Sequence, residues 1–223
     1  MSSVKGRLVR LLGGVMLKRG TVHAVQDLGG FQWLGVRCDA GPIAAGTKLQ
    51  ILLPSDDMRT YTPIAAADGF SLLGWKHAGG PGARWLASVQ VGDAVVFVGP
   101  QRSLELAAGP VLLVGDETSV AVAAALAAER PGHVQAVIQT AAPADVRRAA
   151  QAVALPAVDT VATGDTAATV DLIRRKLADW PTAQVALTGG SEPIIAIRQA
   201  LRSSGAAHIK TKTYWIPGKT GLD

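Results

Sequence analysis

The chain has 223 residues, 48% of them apolar, which is enough to bury a sizeable core and excludes a disordered protein. Its net charge is +5 and its pI about 9.7, so an anionic partner is expected, but no long Lys/Arg run or phosphate-tracking repeat supports a polynucleotide. The single cysteine, Cys38, excludes an intramolecular disulfide and an all-cysteine metal cluster within one chain.

The first twenty residues are basic and partly apolar. Arg7, Arg10 and Lys18 break the run before a signal-peptide core can form, so the stretch predicts a short amphipathic helix at about 4–17. No stretch reaches transmembrane length without charges or glycines, and a cytoplasmic location is expected. From there to residue 108 the pattern is one of short alternating runs. Strands are predicted at 21–28, 31–38, 47–54, 69–76 and 94–100, separated by Gly29-Gly30, Gly41-Pro42, Ser55-Asp56-Asp57 and Gly92-Asp93. Spacing of this kind predicts a small antiparallel barrel or sandwich.

After residue 109 strands and helices alternate. Strands are expected at 110–117, 133–140, 183–190 and 207–215, with helices at 119–130, 143–153, 166–180 and 191–205. This is the signature of a parallel sheet with helices on both faces. The chain therefore divides into a β domain, 1–108, and an α/β domain, 109–223. The first holds 11 basic and 7 acidic residues and the second 11 and 10, yet Arg198, Arg202, Lys210, Lys212 and Lys219 cluster near the end, opposed late in the chain only by Asp223.

Several stretches carry chemistry-bearing residues. The run 58–63, "MRTYTP", sets an arginine, a tyrosine and two hydroxyls side by side in an aromatic-poor chain. Alternation puts Arg59 and Tyr61 on one face and Thr60 and Thr62 on the other. The glycine-rich "HAGGPGARW" (77–85) precedes a short helix predicted at Arg84–Val89. Its exposed N–H groups can hold a phosphate, and Gly80, Gly82 and Ala83 permit close approach. His77 is equally a structural hydrogen bonder, and Trp85 is most simply core. Gly115-Asp116-Glu117-Thr118 follows the first strand of the α/β half, where such sheets bind ligands, and Thr118 or Ser119 can cap the next helix. The two acids would repel a pyrophosphate placed directly on them. No clustered His/Cys/carboxylate set suggests a bound metal.

In this order and spacing, "RTYTP" (59–63), the stretch 77–100, "LLVGDETS" (112–119), "TGGSEPIIAIRQALR" (188–202) and the tail 212–223 make the chain resemble the siderophore-interacting protein family. These are FAD-dependent ferric-siderophore reductases related to ferredoxin–NADP reductase. The resemblance implies an N-terminal antiparallel Greek-key β-barrel that binds FAD and a parallel-sheet α/β domain that docks NAD(P)H. By carry-over Arg59 pairs with the FAD pyrophosphate, Tyr61 packs on the isoalloxazine or bonds the ribityl chain, and Thr62 reaches the flavin N5 edge. Thr60, His77, Gly80, Gly82, Ala83, Arg84 and Trp85 complete the flavin site. Ala83 stands where the family usually has Ser or Thr, which removes one hydrogen bond of about 0.5–1.5 kcal/mol and leaves weak FAD, FMN or a flavin-free siderophore binder as alternatives. Gly115, Asp116 and Thr118 line the coenzyme edge.

Coenzyme choice is read from the residues after the second α/β strand. Thr140, Ala141 and Ala142 offer no acid for a ribose diol, while Arg147 and Arg148 suit a 2′-phosphate, so NADPH is favoured over NADH. Gly189-Gly190-Ser191-Glu192 follows the third strand, where the nicotinamide side would approach; Glu192 is equally a first-turn helix acid. In the tail the resemblance implies that Trp215 covers the flavin, and Lys210, Lys212, Lys219 and Tyr214 either receive an anionic ferric siderophore or form an exposed, solvated strand. A monomer with no nucleic-acid partner is expected, and outer-sphere reduction of an iron chelate requires no acid–base catalyst. A general NAD(P)H:flavin or ferredoxin-type reductase with another acceptor is the alternative activity.

Overall fold

In the computed structural model, residues 17–77, 79–202 and 209–219 are described. The helix expected at about 4–17 and the connection at 203–208 lie outside them, as do residues 220–223. The chain divides into two compact units between Ser103 and Leu104.

The first unit contains β1 (Lys18–Leu28), β2 (Phe31–Arg37), β3 (Thr47–Leu52), β4 (Met58–Tyr61), β5 (Pro63–Ala66), β6 (Gly69–Trp75), helix α1 (Pro81–Ser88) and β7 (Ala94–Arg102). The strands form one antiparallel sheet in the order β4-β3-β7-β1-β2-β6-β5. Its two edge strands, β4 and β5, are consecutive in the chain and joined only by Thr62, so the strip has to curl back on itself into a barrel. The return of β7 between β3 and β1 is the Greek-key step. Alternating inward residues fill the barrel: Leu34 and Val36, Leu49 and Ile51, Phe70 and Leu72, Val95 and Phe97. Phe70 and Phe97 meet edge to face, with centroids 5.2 Å apart.

Helix α1 begins three residues earlier than the sequence suggested. Pro81 fits the first helical turn, where its missing N–H costs nothing, and Gly80 stands at the N-cap. The helix buries Trp85 and Leu86 in the barrel core. Leu86 is 2% exposed and lies on bare Gly74 of β6, where an added Cβ would be 2.4 Å from its Cδ1. Leu86→Ala should destabilise the first unit by about 2–5 kcal/mol, measured by denaturant unfolding, because it opens a cavity and frees the helix that shapes the site. Cys38 is half-buried, and burial pushes its thiol pKa up, consistent with a packing role.

The second unit contains β8 (Val111–Gly115), a 3₁₀ turn (Glu117–Ser119), α2 (Val120–Glu129), β9 (Val134–Gln139), α3 (Pro143–Ala152), β10 (Val158–Val161), α4 (Thr166–Asp179), β11 (Gln184–Gly190), α5 (Ser191–Arg202) and β12 (Ile209–Trp215). Its five strands run parallel in the order β10-β9-β8-β11-β12. On one face, Leu112, Val114, Val137, Val185 and Leu187 pack against Val170 and Ile173 of α4 and Ile194, Ile197 and Leu201 of α5. The chain winds outward from β8 in both directions, so the strand order reverses between β8 and β11. A crevice at the carboxyl ends of those two strands is where open sheets of this kind take ligands.

Two strands, β5 and β10, were not anticipated from the sequence. Both are four residues long and sit at sheet edges, where partial exposure blurs the apolar pattern. The serine expected to cap α5 is instead its first residue, because β11 passes into the helix with no intervening loop.

Candidate functional site

In the first unit, β4 pairs with β3 so that Tyr61 faces Leu49 and Arg59 faces Ile51. That register directs both side chains to the N-terminus of α1. A Cβ added at Gly82 would lie 2.9 Å from the Tyr61 hydroxyl oxygen and 3.5 Å from Cγ of Arg59. Arginine, tyrosine and glycine therefore converge on one cradle that a single methyl group would fill. The Tyr61 ring is fixed against Trp85, with centroids 5.5 Å apart and planes at 56°. Burial drives the Tyr61 hydroxyl well above its ordinary pKa, against the opposing pull of Arg59, so it remains a neutral O–H donor.

The electrostatics favour an anion. The Arg59 side chain is 21% exposed; its Nη1 donates to the Met58 carbonyl at 2.7 Å and lies 3.7 Å from a carboxylate oxygen of Asp57. Those contacts engage only part of a five-donor fork. At α1 the first backbone bond runs from Arg84 N–H to the Gly80 carbonyl, and no side chain caps the helix. The N–H groups of Gly82 and Ala83 therefore have no intrahelical acceptor, which is the geometry that binds phosphate. The Ala83 methyl is itself buried, so the hydroxyl absent here is replaced by packing.

The remaining first-unit candidates lie around this cradle. Arg84 is exposed and folds its Nη1 back onto the Gly79 carbonyl. The His77 ring lies beside Gly80, its Cε1 3.3 Å from where a Cβ would stand. Trp85 is core. Thr60 is exposed on the opposite side of β4, and Thr62 is the half-buried joint between β4 and β5.

In the second unit the turn after β8 is organised by Asp116. Its Oδ1 accepts from the Thr118 amide at 2.9 Å and from the Thr118 hydroxyl; its Oδ2 accepts from Gly190 N–H at 2.8 Å and from the Trp215 indole N–H at 2.7 Å. Asp116, expected to repel a pyrophosphate placed directly on it, is thus held by four neutral donors from three segments of the chain. The cap expected from Thr118 or Ser119 is also reassigned: the Asp116 carboxylate caps the turn. Ser119 is buried and accepts a 2.7 Å bond from the Thr188 hydroxyl instead. Gly115 has to be a glycine, since a Cβ there would meet Ser119 Oγ at 2.1 Å.

After β9, Thr140 is buried and its hydroxyl accepts from Ala142 N–H at 2.9 Å, shaping the turn into α3. Arg147 is exposed, and Arg148 shares a 3.5 Å exposed pair with Asp145. Glu192 is an exposed acid in the first turn of α5. Lys210 and Lys212 alternate onto one face of edge strand β12, Lys210 exposed and Lys212 half-buried; the expected continuation to Tyr214 is corrected, because the register slips between Thr213 and Trp215 and leaves the half-buried Tyr214 at the irregularity, while Lys219 is exposed in the turn beyond. Sequence reasoning missed the pairing of Gly189 and Gly190 with Asp116 and Trp215, for which the only sequence signal is a Gly-Gly pair closing a strand. Among the described residues no cluster of His, Cys, Asp or Glu could hold a metal, and no helix is long and apolar enough to cross a membrane.

No protein-family profile and no curated protein sequence matches this chain. Solved structures do match. The siderophore-interacting protein SipS from Aeromonas hydrophila is similar with a TM-score of 0.70 at 20% identity, over 92% of this chain and 93% of that one. A siderophore utilization protein from T. fusca gives 0.60 at 19% identity, over 93% and 95%. A ferredoxin NADP+ reductase from Neisseria gonorrhoeae, solved with bound FAD and NADP, gives 0.70 at 14% identity, over 90% and 100%. The antiparallel barrel followed by a five-stranded parallel α/β unit is thus the fold of the ferredoxin–NADP reductases and of the siderophore-interacting proteins.

Proposed function

We propose that this chain is an FAD-dependent oxidoreductase of the cytoplasm, acting as a monomer, that carries electrons from NAD(P)H to the iron of an anionic ferric siderophore. The observation that carries the reading is the cradle in the barrel, where Arg59, Tyr61 and the uncapped start of α1 meet around Gly82. Its residues fit a flavin dinucleotide. Arg59 and the N–H groups of Gly82 and Ala83 supply positive, directional donors for a pyrophosphate, and Tyr61 supplies an aromatic face and a neutral hydroxyl. When bound, the flavin supplies the conversion from a two-electron hydride donor to a one-electron acceptor such as Fe(III).

The second unit fits the coenzyme role. The carboxyl ends of β8 and β11 meet at the reversal of strand order, and Gly115 and Thr118 frame the turn there. Absence of an acid at Thr140, Ala141 and Ala142, with Arg147 and Arg148 on the following helix, favours NADPH. Lys210, Lys212 and Lys219 provide the cationic approach for a negatively charged iron chelate. Reduction suffices for release, because Fe(II) is held far less tightly than Fe(III) by hard oxygen donors, so no side chain has to act as acid or base.

An anaerobic titration tests the whole reading. NADPH should bleach the flavin absorbance of the FAD-loaded protein, and a ferric chelate should restore it faster than free flavin or a quinone does. Equal rates with all acceptors would favour a general flavin or ferredoxin-type reductase. Substituting both lysines, Lys210→Glu and Lys212→Glu, should lower kcat/KM for an anionic ferric chelate by about 10–100-fold at low salt and flatten its salt dependence.

A further inference from the structure

Asp116 is tied into more of the coenzyme edge than its place in the sequence suggests. The Thr118 donors follow β8, the Gly190 amide closes β11, and the Trp215 indole closes β12. Two consecutive glycines make room for this arrangement. Gly189 has φ +108°, and a Cβ there would stand 2.4 Å from Oδ2 of Asp116; a Cβ at Gly190 would stand 2.5 Å from Cζ2 of Trp215. One glycine clears space for the carboxylate and the next for the indole. Trp215 is nevertheless 41% exposed, so the held ring still presents surface to solvent.

We infer that Asp116 is a positioning residue that holds Trp215 as a fixed platform for a flat, electron-poor ring at the β8/β11 switch point, the oxidised nicotinamide being the ring of that class. The inference rests on the redox role proposed for the chain. An indole face attracts a cationic ring through its quadrupole, and an ionised carboxylate at the indole edge strengthens that preference. The orientation of the indole is set through its N–H, which has one strong acceptor and no alternative role. Asp116 therefore acts on the coenzyme through Trp215. In this inference Trp215 serves the coenzyme instead of covering the flavin as the resemblance implies, because leaving Gly190 would strip the indole of its charged acceptor.

The test uses the full chain loaded with FAD and measures the Kd for NADP+ and for NAD+ by calorimetry. Trp215→Leu, which removes the platform, should weaken the better of the two by about tenfold. Asp116→Asn keeps an acceptor for Thr118 but sets an amide donor against Gly190 and the indole, and should weaken binding several-fold. Adding Asp116→Asn to Trp215→Leu should then have no further effect, the mark of one residue acting through the other. Trp215→Phe keeps a ring and loses the N–H, giving a milder change; FAD content and unfolding midpoint confirm folding for each variant. Tighter coenzyme binding in any variant means that the indole blocks the site, and an Asp116→Asn effect undiminished by Trp215→Leu means a merely structural carboxylate. Either result overturns the inference. Wild-type protein that binds neither coenzyme sinks the redox role itself, which separates the two failures.

Discussion

Gly82→Val is expected to give a folded protein that leaves purification without flavin, even from FAD-supplemented medium, with an affinity at least about a hundredfold lower than wild type. The Cβ alone would sit 2.9 Å from the Tyr61 hydroxyl, closer than real Cβ contacts come, and the valine methyls would occupy the space between Arg59 and the helix start. They would also screen the Gly82 and Ala83 amides, the donors a pyrophosphate needs. Folding should survive, because Gly82 lies in the first turn of α1, is half-exposed and does not have a left-handed backbone. Gly82→Ala should show a smaller loss, partly restored by Tyr61→Phe, which removes the nearest atom. Visible absorbance after FAD saturation reads the flavin, and far-ultraviolet circular dichroism reads the fold. A yellow, fully occupied Gly82→Val protein would show that the flavin binds elsewhere.

Much of this site was legible because the period of a strand is two. Alternation alone set Arg59 and Tyr61 on one face, and their shared proximity to Gly82 comes from that register. The glycine-rich stretch 77–85 announced a turn into a helix by composition, and Pro81 fixed the helix start more sharply than the apolar pattern did. The alternation of strands and helices after residue 109 was equally plain, since buried parallel strands such as Val111–Gly115 are apolar along their whole length.

What stayed hidden was long-range. Nothing local marks Asp116 as the acceptor for an indole 99 positions away, and as a solvated acid in a first turn it read as an obstacle to phosphate. Gly74 looks like any strand glycine until Leu86 is found lying on it. Edge strands Pro63–Ala66 and Val158–Val161 are too short and too exposed for periodicity to register. Pairings between distant segments carry no sequence period, so only the fold reveals them.

Arg59→Ala should weaken FAD by about 10–100-fold while changing stability little. The side chain is anchored by one bond to the Met58 carbonyl and by a 3.7 Å approach to Asp57, a long ion pair of small worth to the fold. Its value lies in the donors still free to form a fork with a pyrophosphate. Arg59→Lys keeps the charge and loses the fork, so it should fall between wild type and alanine. Asp57→Asn removes the carboxylate that competes for the guanidinium and should tighten FAD modestly. All three effects should shrink as salt rises, since the contact is between charges that water reaches. Flavin Kd measured by fluorescence quenching at two ionic strengths checks the series. An alanine variant that holds FAD as tightly as wild type would take the pyrophosphate away from this strand, and with it the role of Arg59.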